Sequence, residues 1–147
     1  MIRSIIILSV YIFAGSSLFL SVNAHDGATG IVKQRMDKFS ESQQQLKQIQ
    51  AALRAQDFET IVTAAGSIRD WARDMPDYFP AGSGGAPSKA SPRIWESFDS
   101  FRDAAKAHEN AAVELILAAQ SGQQDNTMNA FKQLAQTCSS CHKAFRQ

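Results

Sequence analysis

The sequence predicts an all-α protein, an antiparallel four-helix bundle with one long crossover loop between its second and third helices. Three observations point there. Four segments carry apolar residues at alternating steps of three and four, the spacing that lines side chains along one helical face. No segment alternates apolar with polar residues as a half-buried strand would. All four prolines, Pro76, Pro80, Pro87 and Pro92, share one window with Gly82, Gly84 and Gly85. Proline inside a helix removes a hydrogen bond and clashes with the preceding turn, so the window reads as loop and its flanks are free to be helical. Helices joined by short connections run antiparallel.

The elements follow in order. A first stripe runs Val32, Met36, Phe39, Gln43, Leu46, Gln50, Leu53, within a helix over Ile31 to Leu53. The Gln-rich stretch Gln43 to Gln45 reads as solvated surface. A second stripe, Phe58, Ile61, Ala65, Ile68, Ala72, Met75, ends where Pro76 forbids continuation. After the loop, Ser91 offers a hydroxyl cap and Pro92 occupies a first helical position, where a missing N–H costs nothing. The third stripe is Ile94, Phe98, Phe101, Ala105, His108, Ala112, Leu115, Ala119, stopped at Ser121-Gly122. A fourth begins near Asp125, a candidate cap, and runs Met128, Phe131, Leu134, Cys138, Cys141, Phe145. The near-heptad spacing predicts a slight left-handed supercoil, with crossing angles of about 20°.

The chain has 147 residues, of which 44% are hydrophobic and 20% charged, with 15 basic against 14 acidic side chains. That balance excludes a disordered polyelectrolyte and a protein built to grip nucleic acid, which needs an excess of Lys and Arg. Two cysteines are too few for a disulfide scaffold. Residues 1–24 read as a secretory signal peptide: Arg3, an apolar run from Ile5 to Leu20, then Val22-Asn23-Ala24 at a small-residue cleavage site. An uncleaved anchor helix is the alternative, since the run lies near the lower limit for crossing a bilayer. Cleavage leaves one domain over 25–147 with no membrane span. An exported chain without a cysteine framework suits a bacterial periplasm.

Cys138-Ser139-Ser140-Cys141-His142 is C-x-x-C-H, the c-type haem attachment motif. On a helix, positions three and four apart share a face, so both thiols and the imidazole project to one side. Two thiols can add to the two vinyl groups of a haem while His142 reaches the iron as axial ligand. Other chemistries fit less well. A thioredoxin-type pair opens a helix after a strand, where the helix N-terminus lowers a thiol pKa. Zinc needs a fourth ligand, and no second C-x-x-C or H-x-x-x-H exists. A plain disulfide leaves His142 without a role.

The C-terminal C-x-x-C-H followed by Phe145-Arg146, the F-P-A-G-S segment from Phe79 to Ser83, and P-x-I-W from Pro92 to Trp95 together resemble the cytochrome c prime family. The resemblance implies a periplasmic four-helix bundle, often a homodimer, with one haem c per chain near the bundle end. In high-spin members the iron is five-coordinate and binds nitric oxide or carbon monoxide in a crowded distal pocket. Low-spin relatives use a first-helix methionine as sixth ligand and carry electrons. In V-K-Q-R-M-D-K-F, Arg35 matches the arginine that pairs with a haem propionate, and Met36 a position lining the haem. Phe39 falls where high-spin members place a bulky apolar residue and low-spin members the ligating methionine. Arg146 matches the family's proximal arginine; a cation at a helix C-terminus is also favourable on its own account. Tyr78 and Phe79 are expected to close the haem edge, and Trp71 and Trp95 to be core.

The resulting expectation is a non-enzymatic haem c protein, attached through Cys138 and Cys141 and ligated by His142. Phe39 caps an open distal face that admits nitric oxide or another diatomic gas, and one-electron exchange with a periplasmic redox partner stays possible. The alternative is a low-spin electron carrier with Met36 as sixth ligand. A peroxidase-like enzyme would need a distal His/Arg pair for O–O cleavage, which the sequence does not offer. His108 lies on the apolar stripe, as a second axial ligand or, more simply, a hydrogen-bonded histidine at the edge of a core.

Overall fold

A computed structural model describes residues 27–147 of the chain. The expected leader and its cleavage site lie outside the described residues. The first stripe becomes α1, Gly30–Ala55. It ends at Gln56, whose left-handed backbone (φ 56°) turns its N–H back onto the carbonyls of Ala52 and Leu53. Asp57 then starts α2, Phe58–Asp74. Its carboxylate accepts the Thr60 N–H at 3.1 Å and the Thr60 hydroxyl at 2.6 Å, satisfying a donor that the first helical turn leaves unpaired.

Pro76 does not end helical structure, contrary to the expectation of a loop from that residue. The chain tightens into a 3-10 turn over Met75–Tyr78. Pro76 is tolerated there because an N–H at the start of a helical turn has no intrahelical acceptor to lose. The crossover then runs to α3, a single turn over Arg93–Glu96, which precedes α4, Phe98–Gln120. The third helix is therefore broken rather than continuous. Ser97 adopts φ −139° and ψ 58°, well outside helical values. The Trp95 indole N–H donates to the carbonyls of Phe79 and Pro80, each at 3.0 Å, so α3 is tethered to the loop instead of extending α4. Ser91 does cap this start, its hydroxyl accepting the Arg93 N–H at 3.3 Å.

Gly122 (φ 68°) makes the turn after α4, a conformation that strains any residue with a Cβ. The last helix, α5, spans Gln124–Phe145. Asp125 sits inside its first turn rather than capping it; the position before the helix is Gln123, whose carbonyl accepts the buried Thr127 hydroxyl at 2.9 Å.

The four long helices pack with α2 against α4, α4 against α5, and α1 against α2, while α1 and α5 meet only sparsely. Two apolar clusters divide the interior. One, at the end with the two short connections, gathers Ile49, Leu53, Ile61, Ile68, Leu115 and Leu134. Each such side chain contributes roughly 1.5–3 kcal/mol on leaving water. The other lies beneath the crossover and is mostly aromatic, built on Trp71, Met75, Phe79, Ile94 and Phe101. No helix among the described residues is long and apolar enough to cross a membrane.

Candidate functional site

Cys138, Cys141 and His142 lie on the last turns of α5, and Phe145 one turn further packs into the aromatic cluster. Both cysteines are free and half-buried. Burial raises both thiol pKa values, Cys141 to about 11, with the neighbouring Cys138 adding to the rise. That is the opposite of the depressed pKa of a redox-active thiol pair. Among the described residues no cluster of three or more His, Cys, Asp or Glu side chains could hold a metal ion. His142 is exposed, and its pKa is lowered by partial burial and then by the Arg146 guanidinium.

On α1, Arg35 and Phe39 are four residues apart and share a face. The Phe39 ring stands edge-on to Trp71 at 5.2 Å and to Phe79 at 6.4 Å between centroids. Phe79 meets Phe101 at 4.7 Å, and Phe101 meets Phe145 at 5.4 Å. A continuous run of rings therefore leads from α1, through the loop and α4, to the end of α5. Phe39 itself is 37% exposed and Met36 half-buried, so neither is closed inside the core. Trp71 belongs to the core, as expected, and Trp95 packs partly buried against it. The Trp71 indole N–H is a buried donor without an acceptor among the described residues.

Arg35 is 1% exposed and has no carboxylate partner among the described residues. Its Nη1 donates to the Tyr78 carbonyl (3.2 Å) and the Ser83 hydroxyl (2.8 Å). Its Nη2 donates to the Ser83 carbonyl (2.6 Å) and the Ser88 hydroxyl (2.9 Å). The guanidinium also stacks over Phe79, 4.4 Å from the ring centroid. Burial lowers its pKa, and four neutral acceptors offset only part of that cost. Sequence reasoning marked Arg35 but not Ser83 and Ser88, whose separation from it along the chain hides the pairing.

His108 is 8% exposed on α4, and its Nδ1 lies 2.7 Å from the Thr137 hydroxyl. That hydroxyl has one proton, which it donates to the Leu134 carbonyl at 2.6 Å. His108 therefore donates through Nδ1–H, and as a hydrogen-bonded residue at a core edge it matches the simpler of the two expectations. Burial, then repulsion from His142, lowers its pKa to about 4. Thr137, immediately before Cys138, carried no signal in the sequence.

The family model for Cytochrome C' matches residues 30–146. The chain belongs to the cytochrome c′ family. Membership makes it a haem c protein. A cytochrome c-556 of Agrobacterium tumefaciens is 34% identical over 90 residues, spanning 61% of this chain and 72% of that protein. A cytochrome c′ of Rhodospirillum rubrum is 35% identical over 83 residues, 56% of either chain. The fold is that of the solved cytochrome c′ from Thermochromatium tepidum, with a TM-score of 0.71 at 21% identity over 79% of this chain and 93% of that one. A nitric oxide complex of a cytochrome c prime variant from Alcaligenes xylosoxidans has the same TM-score, 0.71, at 24% identity, covering 80% and 94%.

The residues present fit the haem c of a cytochrome c′. Two thiols one turn apart adjoin a histidine, an aromatic cluster lies alongside, and a buried cation lacks a counter-charge. The sparse contact between α1 and α5 leaves these two helices free to flank a planar group.

Proposed function

We propose that this member of the cytochrome c′ family is a periplasmic gas-binding haem protein, with one haem c bonded to Cys138 and Cys141, His142 as iron ligand, and Phe39 over the opposite face. The observation that carries the reading is the residue at the distal position: Phe39 is bulky and apolar, has no lone pair to give iron, and is braced edge-on by Trp71 and Phe79. Bound haem supplies a ferrous or ferric centre able to take a diatomic ligand or exchange one electron. His142 would hold that centre, and partial burial, then the Arg146 charge, disfavour protonation of its imidazole. Phe39 limits entry to small uncharged gases. Arg35 is a buried cation and the Trp71 N–H a buried unpaired donor, and a haem propionate would satisfy either. The nitric oxide complex of the Alcaligenes relative supports the ligand class.

The test is the optical spectrum of the haem-loaded protein, ferric and ferrous, with and without carbon monoxide. A high-spin ferric spectrum and a ferrous form that takes up carbon monoxide are expected. A low-spin ferric spectrum with a methionine-to-iron charge-transfer band would replace the reading with an electron carrier ligated by Met36. His142→Ala is expected to abolish the native axial bond and its spectrum; an unchanged spectrum overturns the ligand assignment.

A further inference from the structure

The two helices that flank the proposed haem hardly touch each other, so their separation is set indirectly, through α2 and α4 and through the crossover. The crossover loop is bonded to both. At its near end, Ser83 and Ser88 accept three of the four hydrogen bonds from the Arg35 guanidinium of α1. At its far end, residues 89–91 pair with the segment that leaves α5. Ala90 and Arg146 form an isolated antiparallel bridge. The Ser91 N–H donates to the Phe145 carbonyl at 2.9 Å, and the Gln147 N–H to the Lys89 carbonyl at 3.0 Å. The Gln147 side-chain amide adds a bond to the Ala90 carbonyl at 3.3 Å. Ser88 joins the two ends, because its hydroxyl accepts both Arg35 Nη2 (2.9 Å) and the Ala90 N–H (3.1 Å).

We propose that residues 83–91 are a strap that fixes the spacing of α1 from α5, and that Ser88 is a positioning residue that thereby sets how readily a gas reaches the iron. The inference rests on the proposed haem site and adds to it a determinant of specificity outside that site. Arg35 lies one turn from Phe39 on the same face of α1, so an anchor on Arg35 also limits how far the Phe39 ring can swing. A bond to a charged guanidinium is stronger than one between neutral groups, so losing the Ser88 hydroxyl weakens the near anchor more than a neutral contact would.

Carbon monoxide association with the ferrous haem-loaded protein reads the spacing. Both Phe39 and Met36 are on α1, so the rate responds to the strap under either ligation, while the ferric spectrum of the unmodified protein separately decides which ligation holds. Two variants weaken the strap at opposite ends, leaving the Ser83 bonds to Arg35 and the Ser91 bond to Phe145 in place. Ser88→Ala removes the shared acceptor. Gln147→Pro removes both Gln147 donors, and Arg146 (φ −121°, ψ 142°) already has the extended backbone that a following proline requires. Each is expected to speed association by about tenfold, since Ser88→Ala loses one charge-assisted hydrogen bond and Gln147→Pro two neutral ones of comparable combined weight. Ser88→Thr, which keeps the hydroxyl, is expected to retain the original rate. Because both changes loosen one strap, the double variant should fall short of the product of the two single effects, a non-additive cycle. Rates within about twofold of the original in both single variants, or effects that simply multiply in the double variant, overturn the proposal.

Discussion

At the scale of single residues, the informative side chains are those whose polarity conflicts with where they sit. His108 is a neutral imidazole among apolar neighbours, with a pKa of about 4 against an ordinary 6.5. Between those values the unfolded chain binds a proton that the folded chain refuses, so stability falls as the pH drops from 6.5 towards 4 and levels off below. The limiting slope is about 1.4 kcal/mol per pH unit. His108→Phe should flatten that slope while Thr137 keeps its bond to the Leu134 carbonyl; urea midpoints at pH 7 and pH 5 measure it, and an unaltered slope would contradict the assignment. Phe39→Met puts a thioether where the ring stands and is expected to convert a high-spin ferric spectrum to a low-spin one. The motif at Cys138, Cys141 and His142 was legible in the sequence because its geometry is local to one helical turn. Arg35 was legible through the family resemblance, as the partner of a haem propionate, but its acceptors within the protein were not. Its acceptors lie 43 to 53 positions away, and a pairing over that distance leaves no periodic trace.

Among elements, the helices were readable wherever burial is one-sided, and unreadable where a tertiary bond overrides the pattern. The stripe from Ile94 to Ala119 is continuous, yet the chain breaks at Ser97 because the Trp95 indole is bound to the loop carbonyls of Phe79 and Pro80. The run into Pro76 is legible as a stop, but the 3-10 turn beyond it depends on the Phe79 N–H reaching the Pro76 carbonyl, a contact that composition does not encode. The expected cap at Asp125 failed for a related reason: the start of α5 is held by Thr127 on Gln123 and by the Gln124 side chain on the Leu53 carbonyl at 2.8 Å, tying α5 to the end of α1. Packing sets the magnitudes here. Leu134 is fully buried where α5 meets the aliphatic cluster, so Leu134→Ala is expected to cost about 2–5 kcal/mol in denaturant unfolding. Asp57→Ala should lower the unfolding midpoint by removing the cap of α2, and a midpoint equal to the original would show that the Thr60 bonds add nothing.

Across the whole molecule the interior is divided between an aliphatic end and an aromatic end, and the proposed haem concerns only the second. A chain with both cysteines changed to serine, and so unable to bond haem, should keep slow amide hydrogen exchange through Ile61, Leu115 and Leu134. Exchange should quicken around Arg35, Phe79 and Phe101. Uniform loss of protection would mean that the two ends unfold as one unit. The same division has an optical consequence. Both tryptophans, Trp71 and Trp95, lie in the aromatic cluster and none in the aliphatic one. Their ultraviolet emission overlaps the Soret absorption of a nearby haem, which would drain it by energy transfer. Fluorescence intensity would then count the fraction of chains that have not acquired their cofactor, with no added label.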